Sequence, residues 1–161
     1  MSDEKTIHQL NKYKTVGTAW VVQQQFWFFG TLKFIDGEQI RDAQAIQDCS
    51  YFFNKLDRRI LGSTAVQRKG QRLNRLVFME HGKTGNNTHF HFFIKGKTQA
   101  HFRQILKAAN DIWHSQKMAR TLDLRLEDNL GNEEGRAYYG WKEMRTFEKE
   151  TLVPTLCHLS Q

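Results

Sequence analysis

Apolar residues recur along the chain with two different periods, and the switch between periods predicts the order of elements. Across 18–34 (TAWVVQQQFWFFGTLKF) aromatic and β-branched residues gather before the break at Gly37, and the second half, about 26–34, reads as a strand. Over 38–61 the apolar positions Ile40, Ala43, Ile46, Cys49, Phe53, Leu56 and Ile60 fall every three or four residues, the spacing of one helix face. Gly62 supplies the stop. The stretches 72–81 (RLNRLVFMEH) and 88–95 (THFHFFIK) are strand-like, and the turn-rich 82–87 between them predicts a hairpin. Thr98 can cap a second helix whose buried face is Phe102, Ile105, Leu106, Ala109, Ile112 and Trp113. Leu122, Leu124 and Leu126 alternate with Asp123, Arg125 and Glu127, the period of a half-buried strand. A short helix around 136–145 follows the turn between Gly131 and Gly135, then a last extended piece around 151–158. The order β-α-β-β-α-β predicts an α+β fold of the split β-α-β, ferredoxin-like kind, an antiparallel sheet with its main helices packed on one face.

Composition narrows the class. The 161 residues are 39% hydrophobic with twelve Phe and one Pro, enough apolar material for a core, and no repeat or linker divides them. A single domain over 1–161 is expected, with its core at about 18–158. No apolar run approaches the roughly 18–20 residues of a membrane span, and the first ten residues lack the apolar centre of a signal peptide. An intracellular protein without membrane association is the expectation. Cys49 and Cys157 are too few for a disulfide framework or a sulfur-rich zinc site. With 24 Lys plus Arg against 17 Asp plus Glu, the formal charge is 24 − 17 = +7, which suggests an anionic partner, nucleic acid first.

Candidate chemistry sits on the hairpin and on the last helix. Strand alternation puts the imidazoles of His89 and His91 on one face and Phe90 and Phe92 on the other. With 82–87 as the loop, Glu80 lies opposite His89, its Cβ about 4.5–5.5 Å away. Two imidazoles and a carboxylate form a divalent-ion set with coordination positions left open. A register one residue different brings in His81 in place of Glu80. On the last helix, Tyr139 and Lys142 are three apart and Tyr138 and Lys142 four apart, so either phenol can lie beside the ammonium. A phenol is a poor nucleophile unless a nearby cation stabilises its developing oxyanion. Arg58, Arg59, Arg68, Lys69, Arg72 and Arg75 cluster between the first helix and the hairpin, a surface for a nucleic-acid strand or a solvated basic loop. Gly82-Lys83-Thr84 is no phosphate loop, because Val77 stands at the first glycine position and no helix follows. His101 and His114 read as surface residues of the second helix.

Taken in order, Phe29-Gly-Thr-Leu-Lys-Phe34, His89-Phe90-His91 and Tyr139-Gly-Trp-Lys142 resemble the three motifs of the replication initiators (Rep proteins) of the HUH endonuclease superfamily. The resemblance covers about 26–145, and Glu80 stands where many members carry a further metal ligand. It implies a Mg²⁺ or Mn²⁺ ion held by Glu80, His89 and His91. It also implies attack by Tyr139 on single-stranded DNA to leave a 5′-phosphotyrosine link and a free 3′-hydroxyl, with Lys142 positioning or charge-stabilising the phosphate. Arg68, Lys69, Arg72 and Arg75 are the candidate DNA-binding residues. The implied partners are a single-stranded origin, with or without a hairpin, a separate helicase in the absence of a helicase domain here, and a host polymerase. The compartment is then the cytoplasm of a prokaryotic host, or the nucleus for a eukaryotic virus. Tyr138 departs from the pattern, since adjacent tyrosines do not share a helix face as those of two-tyrosine initiators do. Two competing readings are a single-strand tyrosine transposase of the same superfamily and a non-enzymatic ferredoxin-like module that stacks bases on its sheet.

Overall fold

Alternating buried and half-buried residues form β1 (Phe28–Phe34), which lies between two partners in a four-stranded antiparallel sheet. The others are β2 (Arg75–Glu80), β3 (His89–Ile94) and β4 (Ala119–Asp128), in the spatial order β2-β3-β1-β4. This is the strand order of a split β-α-β sheet, as the sequence predicts. The computed structural model describes residues 2–83, 85, 87–96, 98–115, 119–128, 130–144 and 151–160. The expected alternation of Leu122, Leu124 and Leu126 falls on side chains outside the described residues, as does Arg145 at the end of the last predicted helix.

Two long helices cover one face. These are α2 (Asp42–Leu61) and α4 (Gln99–His114), the latter capped by the Thr98 hydroxyl, which accepts from His101 N–H at 3.2 Å. They bury Phe52, Phe53, Ile105 and Trp113 against Leu32, Phe34, Phe90 and Phe92 of the sheet. Gly30 on β1 makes this packing possible: a Cβ there would stand 2.1 Å from the Phe92 ring. A short α3 (Ser63–Lys69) follows α2, where the sequence suggests only a loop.

The opposite face is covered in part by elements that the alternation pattern does not place there. A 22-residue helix, α1 (Ser2–Gln23), lies against α5 (Glu133–Trp141), and together they bury Leu10, Val21, Ala137 and Trp141 with Phe78 and Phe93 of the sheet. Gly17 is where α1 meets Trp141, since a Cβ there would be 2.8 Å from the indole. No helix among the described residues is long and apolar enough to cross a membrane. Residues 151–158 run along the free edge of β2, with Met79 N–H donating to Thr151 O at 2.7 Å and Arg75 and His158 exchanging two backbone bonds. A 3₁₀ turn (Pro154–Leu156) interrupts that run, and the segment blunts an edge otherwise open to pairing.

Candidate metal centre

The register of the hairpin decides which side chains meet. Glu80 pairs with His89, Phe78 with His91 and Leu76 with Phe93, so Glu80, His89 and His91 all project toward the α1–α5 side of the sheet. Phe90 and Phe92 point into the other core, as the period-two reading predicts. Glu80 Oε2 lies 3.4 Å from both His89 Nε2 and His91 Nε2. One ligating atom from each residue can be chosen so that all three lie within 4.8 Å of one another. His81, the register alternative, is turned away; its Nε2 lies 2.8 Å from Asp42 Oδ1 at the start of α2.

Each imidazole is oriented from behind. His89 Nδ1 lies 2.7 Å from the Asn87 carbonyl, a partner that can only accept, so Nδ1 carries the proton and Nε2 keeps its lone pair when the ring is neutral. His91 Nδ1 lies 3.0 Å from the Thr31 hydroxyl, supplied by β1 at the residue paired with His91. The Phe29 ring stacks on His91 at 5.4 Å. The carbonyl thus sets the tautomer of His89, and the hydroxyl, able to donate or accept, sets the aim of His91, the kind of backing that metal-binding histidines carry.

The electrostatics favour a charged Glu80 carboxylate beside a neutral His91 ring. Burial pushes the Glu80 carboxyl up, but the adjoining imidazoles and the Lys142 ammonium, 3.8 Å away, outweigh it and hold the group at about 2. Burial lowers the His91 pKa, against the pull of Glu80, and so favours the neutral ring that ligates. Glu80 Oε1, Glu80 Oε2 and His91 Nε2 are buried without a hydrogen-bond partner among the described residues. Buried acceptors are costly to leave unmade, and a divalent cation would satisfy all three atoms at once. The donor set therefore fits a metal ion. One carboxylate and two imidazoles suit several divalent ions, so the set does not select the metal.

Above the triad opens a cleft of about 570 Å³. Tyr139 and Lys142 enter it from α5 and the turn after it. The Tyr139 ring meets the His91 ring edge-on at 5.0 Å, and Lys142 Nζ stands 3.5 Å from the centre of the Tyr139 ring. Tyr138 lines a separate hollow between α5 and α1. Lys33, Lys83 and Arg136 add positive charge to the triad's cleft. The Glu143 carboxylate accepts from the N–H groups of His81 and Gly82 at 2.9 and 3.1 Å, tying the end of α5 to the hairpin turn.

Thr31, Lys33, Arg136 and Glu143 are additions to the residues that sequence reasoning singled out. A signal existed for the first two: in β1 the half-buried positions 29, 31 and 33 alternate with the core positions, so they share a face with His89 and His91 once the strands pair.

The predicted basic cluster divides. Arg68 and Lys69 are exposed at the end of α3. Arg72 is half-buried, with Nη1 donating to Val66 O and Gln71 O. Arg75 corrects the surface reading: it is 7% exposed, its Nη1 lies 2.9 and 3.0 Å from the two oxygens of buried Asp57, and its Nε donates to Leu156 O. A guanidinium so committed braces α2, β2 and the C-terminal segment and offers nothing to DNA. Comparison with protein-family models, with curated proteins and with solved structures finds no match.

Proposed function

We propose that the chain is a metal-dependent endonuclease and strand-transferase for single-stranded DNA, of the HUH replication-initiator type, with Tyr139 as its nucleophile. One observation carries the reading: the Glu80, His89 and His91 side chains converge beneath a basic cleft into which Tyr139 and Lys142 project, with both Glu80 oxygens and His91 Nε2 buried and without a hydrogen-bond partner among the described residues. Glu80, His89 and His91 would hold a Mg²⁺ or Mn²⁺ ion, which when bound supplies Lewis acidity toward a phosphate oxygen.

The remaining work falls to the chain's own groups. The Tyr139 oxygen forms a bond to phosphorus as the bond from phosphorus to the 3′-oxygen breaks, and the phenolic proton ends, in net, on the released 3′-hydroxyl. Lys142, close to both Glu80 and the Tyr139 ring, stabilises negative charge as the phenol ionises. Lys33, Lys83 and Arg136 hold the strand's phosphates. One phosphodiester is exchanged for another, so rejoining the strand is the reverse step and needs no nucleotide hydrolysis.

The test is incubation with a diverse pool of labelled single-stranded oligonucleotides, with Mn²⁺ or with chelator, followed by a denaturing gel and peptide mapping. A metal-dependent covalent band on Tyr139, lost in Tyr139→Phe and kept in Tyr138→Phe, is the expected result. Binding without any band in Mn²⁺ would overturn the reading in favour of a non-enzymatic binding module. An adduct on Tyr138 would overturn the assignment of the nucleophile. Cleavage carried out by a dimer with α5 of one copy over the triad of the other would favour the transposase.

A further inference from the structure

The last turn of α5 meets β2 through a glycine. A Cβ at Gly140 would stand 3.0 Å from the Phe78 ring, so the helix backbone itself rests on that ring. Phe78 is the register partner of His91, and Tyr139, one residue before Gly140, sets its ring edge-on to the His91 ring. The depth at which α5 sits on Phe78 therefore fixes how far the phenol stands above the triad. Thr151, in the segment along the edge of β2, holds that depth. It is 6% exposed, and its hydroxyl donates to the Gly140 carbonyl at 2.8 Å. Its own carbonyl accepts from Met79 N–H at 2.7 Å, one residue before Glu80, and Val153 N–H donates to Val77 O at 2.9 Å further along the same edge. Thr151 is thus tied by its backbone to the strand that carries Glu80 and by its side chain to the helix that carries Tyr139.

The bond also closes a helix end. The last carbonyls of a helix lack partners within it, and a buried one needs a donor from elsewhere. Tyr139 O accepts from Lys142 N–H and Trp141 O from Met144 N–H, both in the turn that follows, whereas Gly140 O is reached by a residue anchored on the sheet. Glu143 ties that following turn to the hairpin loop, but Thr151 acts on the helix itself, next to the phenol. Resting on the proposed function, we infer that Thr151 is a positioning residue for strand transfer, setting through Gly140 the height of Tyr139 above the triad. Alignment matters at this step, since a misplacement of about 1 Å costs about 100-fold in rate.

The experiment first reads the place of the Tyr139 ring by NMR, in chelator and without DNA, so that its outcome does not depend on nicking. The His91 ring protons, assigned by their loss in His91→Ala, carry the ring-current shift of the neighbouring phenol, and Tyr139→Ala marks where they resonate without it. Thr151→Val, which nearly preserves the side chain's shape and removes the donor, should move these signals part of the way to that mark, and Thr151→Ser should return them. Gly140→Ala, which pushes α5 away from Phe78, should move them too. A fall in Tm with the His91 signals unmoved, or a serine variant that behaves as the valine one, would make the hydroxyl merely structural and overturn the inference. With Mn²⁺ and a cleavable oligonucleotide, Thr151→Val should lower the single-turnover rate by about 10- to 100-fold and leave half-saturation unchanged, and Thr151→Ser should restore the rate. A raised half-saturation at an unchanged rate would also overturn it. If the unsubstituted protein forms no adduct while the His91 signals respond as stated, the proposed enzyme is refuted and the tether on Tyr139 stands.

Discussion

Replacing Thr31 by valine nearly preserves the shape of the side chain and removes the hydroxyl that stands 3.0 Å from His91 Nδ1. Without metal the loss is one partly exposed hydrogen bond, about 1 kcal/mol. With metal the loss is larger, because removing a group that orients a ligating histidine weakens metal affinity by about 10- to 100-fold. An ion present at a hundred times its Kd stabilises the native protein by about 2.7 kcal/mol. In the variant, at the same concentration, that falls to about 0.4–1.4 kcal/mol. At about 2–4 °C per kcal/mol for a chain of this length, the rise in Tm on adding Mn²⁺ should drop from about 5–11 °C to about 1–6 °C. Thermal unfolding followed by circular dichroism, with Mn²⁺ and with chelator, reads this directly, and His91→Ala sets the floor with no metal-induced shift. If Thr31→Val lowers Tm equally in both conditions, the hydroxyl is only structural. If the unsubstituted protein shows no Mn²⁺-induced shift, the triad is not a metal site.

Other substitutions test separate parts of the architecture. Asp57→Ala strands the buried Arg75 guanidinium and should cost about 3–5 kcal/mol in denaturant unfolding; a loss below 1 kcal/mol would show that solvent reaches Arg75. Gly30→Ala drives a methyl into the Phe92 ring and should cost about 1–3 kcal/mol by the same measurement, with stability unchanged if β1 can shift freely. Glu143→Ala should slow nicking while leaving the Mn²⁺-induced Tm shift intact, and Glu143→Gln, whose amide oxygen can still accept from both N–H groups, should restore the rate. Loss of the metal shift in Glu143→Ala would place that carboxylate among the groups that shape the ion site instead.

What the chain reveals before folding, and what it hides, both have physical causes. The strands β1, β2 and β3 and the helices α2 and α4 are legible because each presents a wide apolar face to the core, and the hairpin register follows once its loop is placed. That register puts Glu80 opposite His89. By contrast α1 stays hidden because its contact with α5 is made at Gly17, where the Trp141 ring needs space and not an apolar partner. Only Leu10, Thr18 and Val21 of its described side chains are buried, too few to trace a face. Next, α3 has a single buried residue, Val66, between two glycines, and reads as a basic loop. The burial of Arg75 is likewise unreadable from its neighbours, although Asp57 was a clue. Asp57 lies four residues after Phe53 and next to Leu56 on the core side of α2, where a carboxylate requires a buried partner. Tyr138 and Tyr139 separate only when α1 lies beside α5 and gives the first a hollow of its own.

The three candidate ligands hang from one two-stranded ribbon, while the phenol arrives on a helix fifty residues beyond His89. A cradle made from cross-strand neighbours inherits the stiffness of the ladder, whose backbone bonds fix the spacing of every side chain above it. The helix has no such ladder and is held by side-chain contacts and by the Glu143 tether. One wall of the cleft is thus set by the backbone ladder and the other by side-chain packing. Under the proposed function, accommodation of different phosphates would fall to the side that carries Tyr139 and Lys142. Under that same function a descendant could replace or lose Tyr139 and still keep the cradle, so ion binding and strand cutting would be separately heritable.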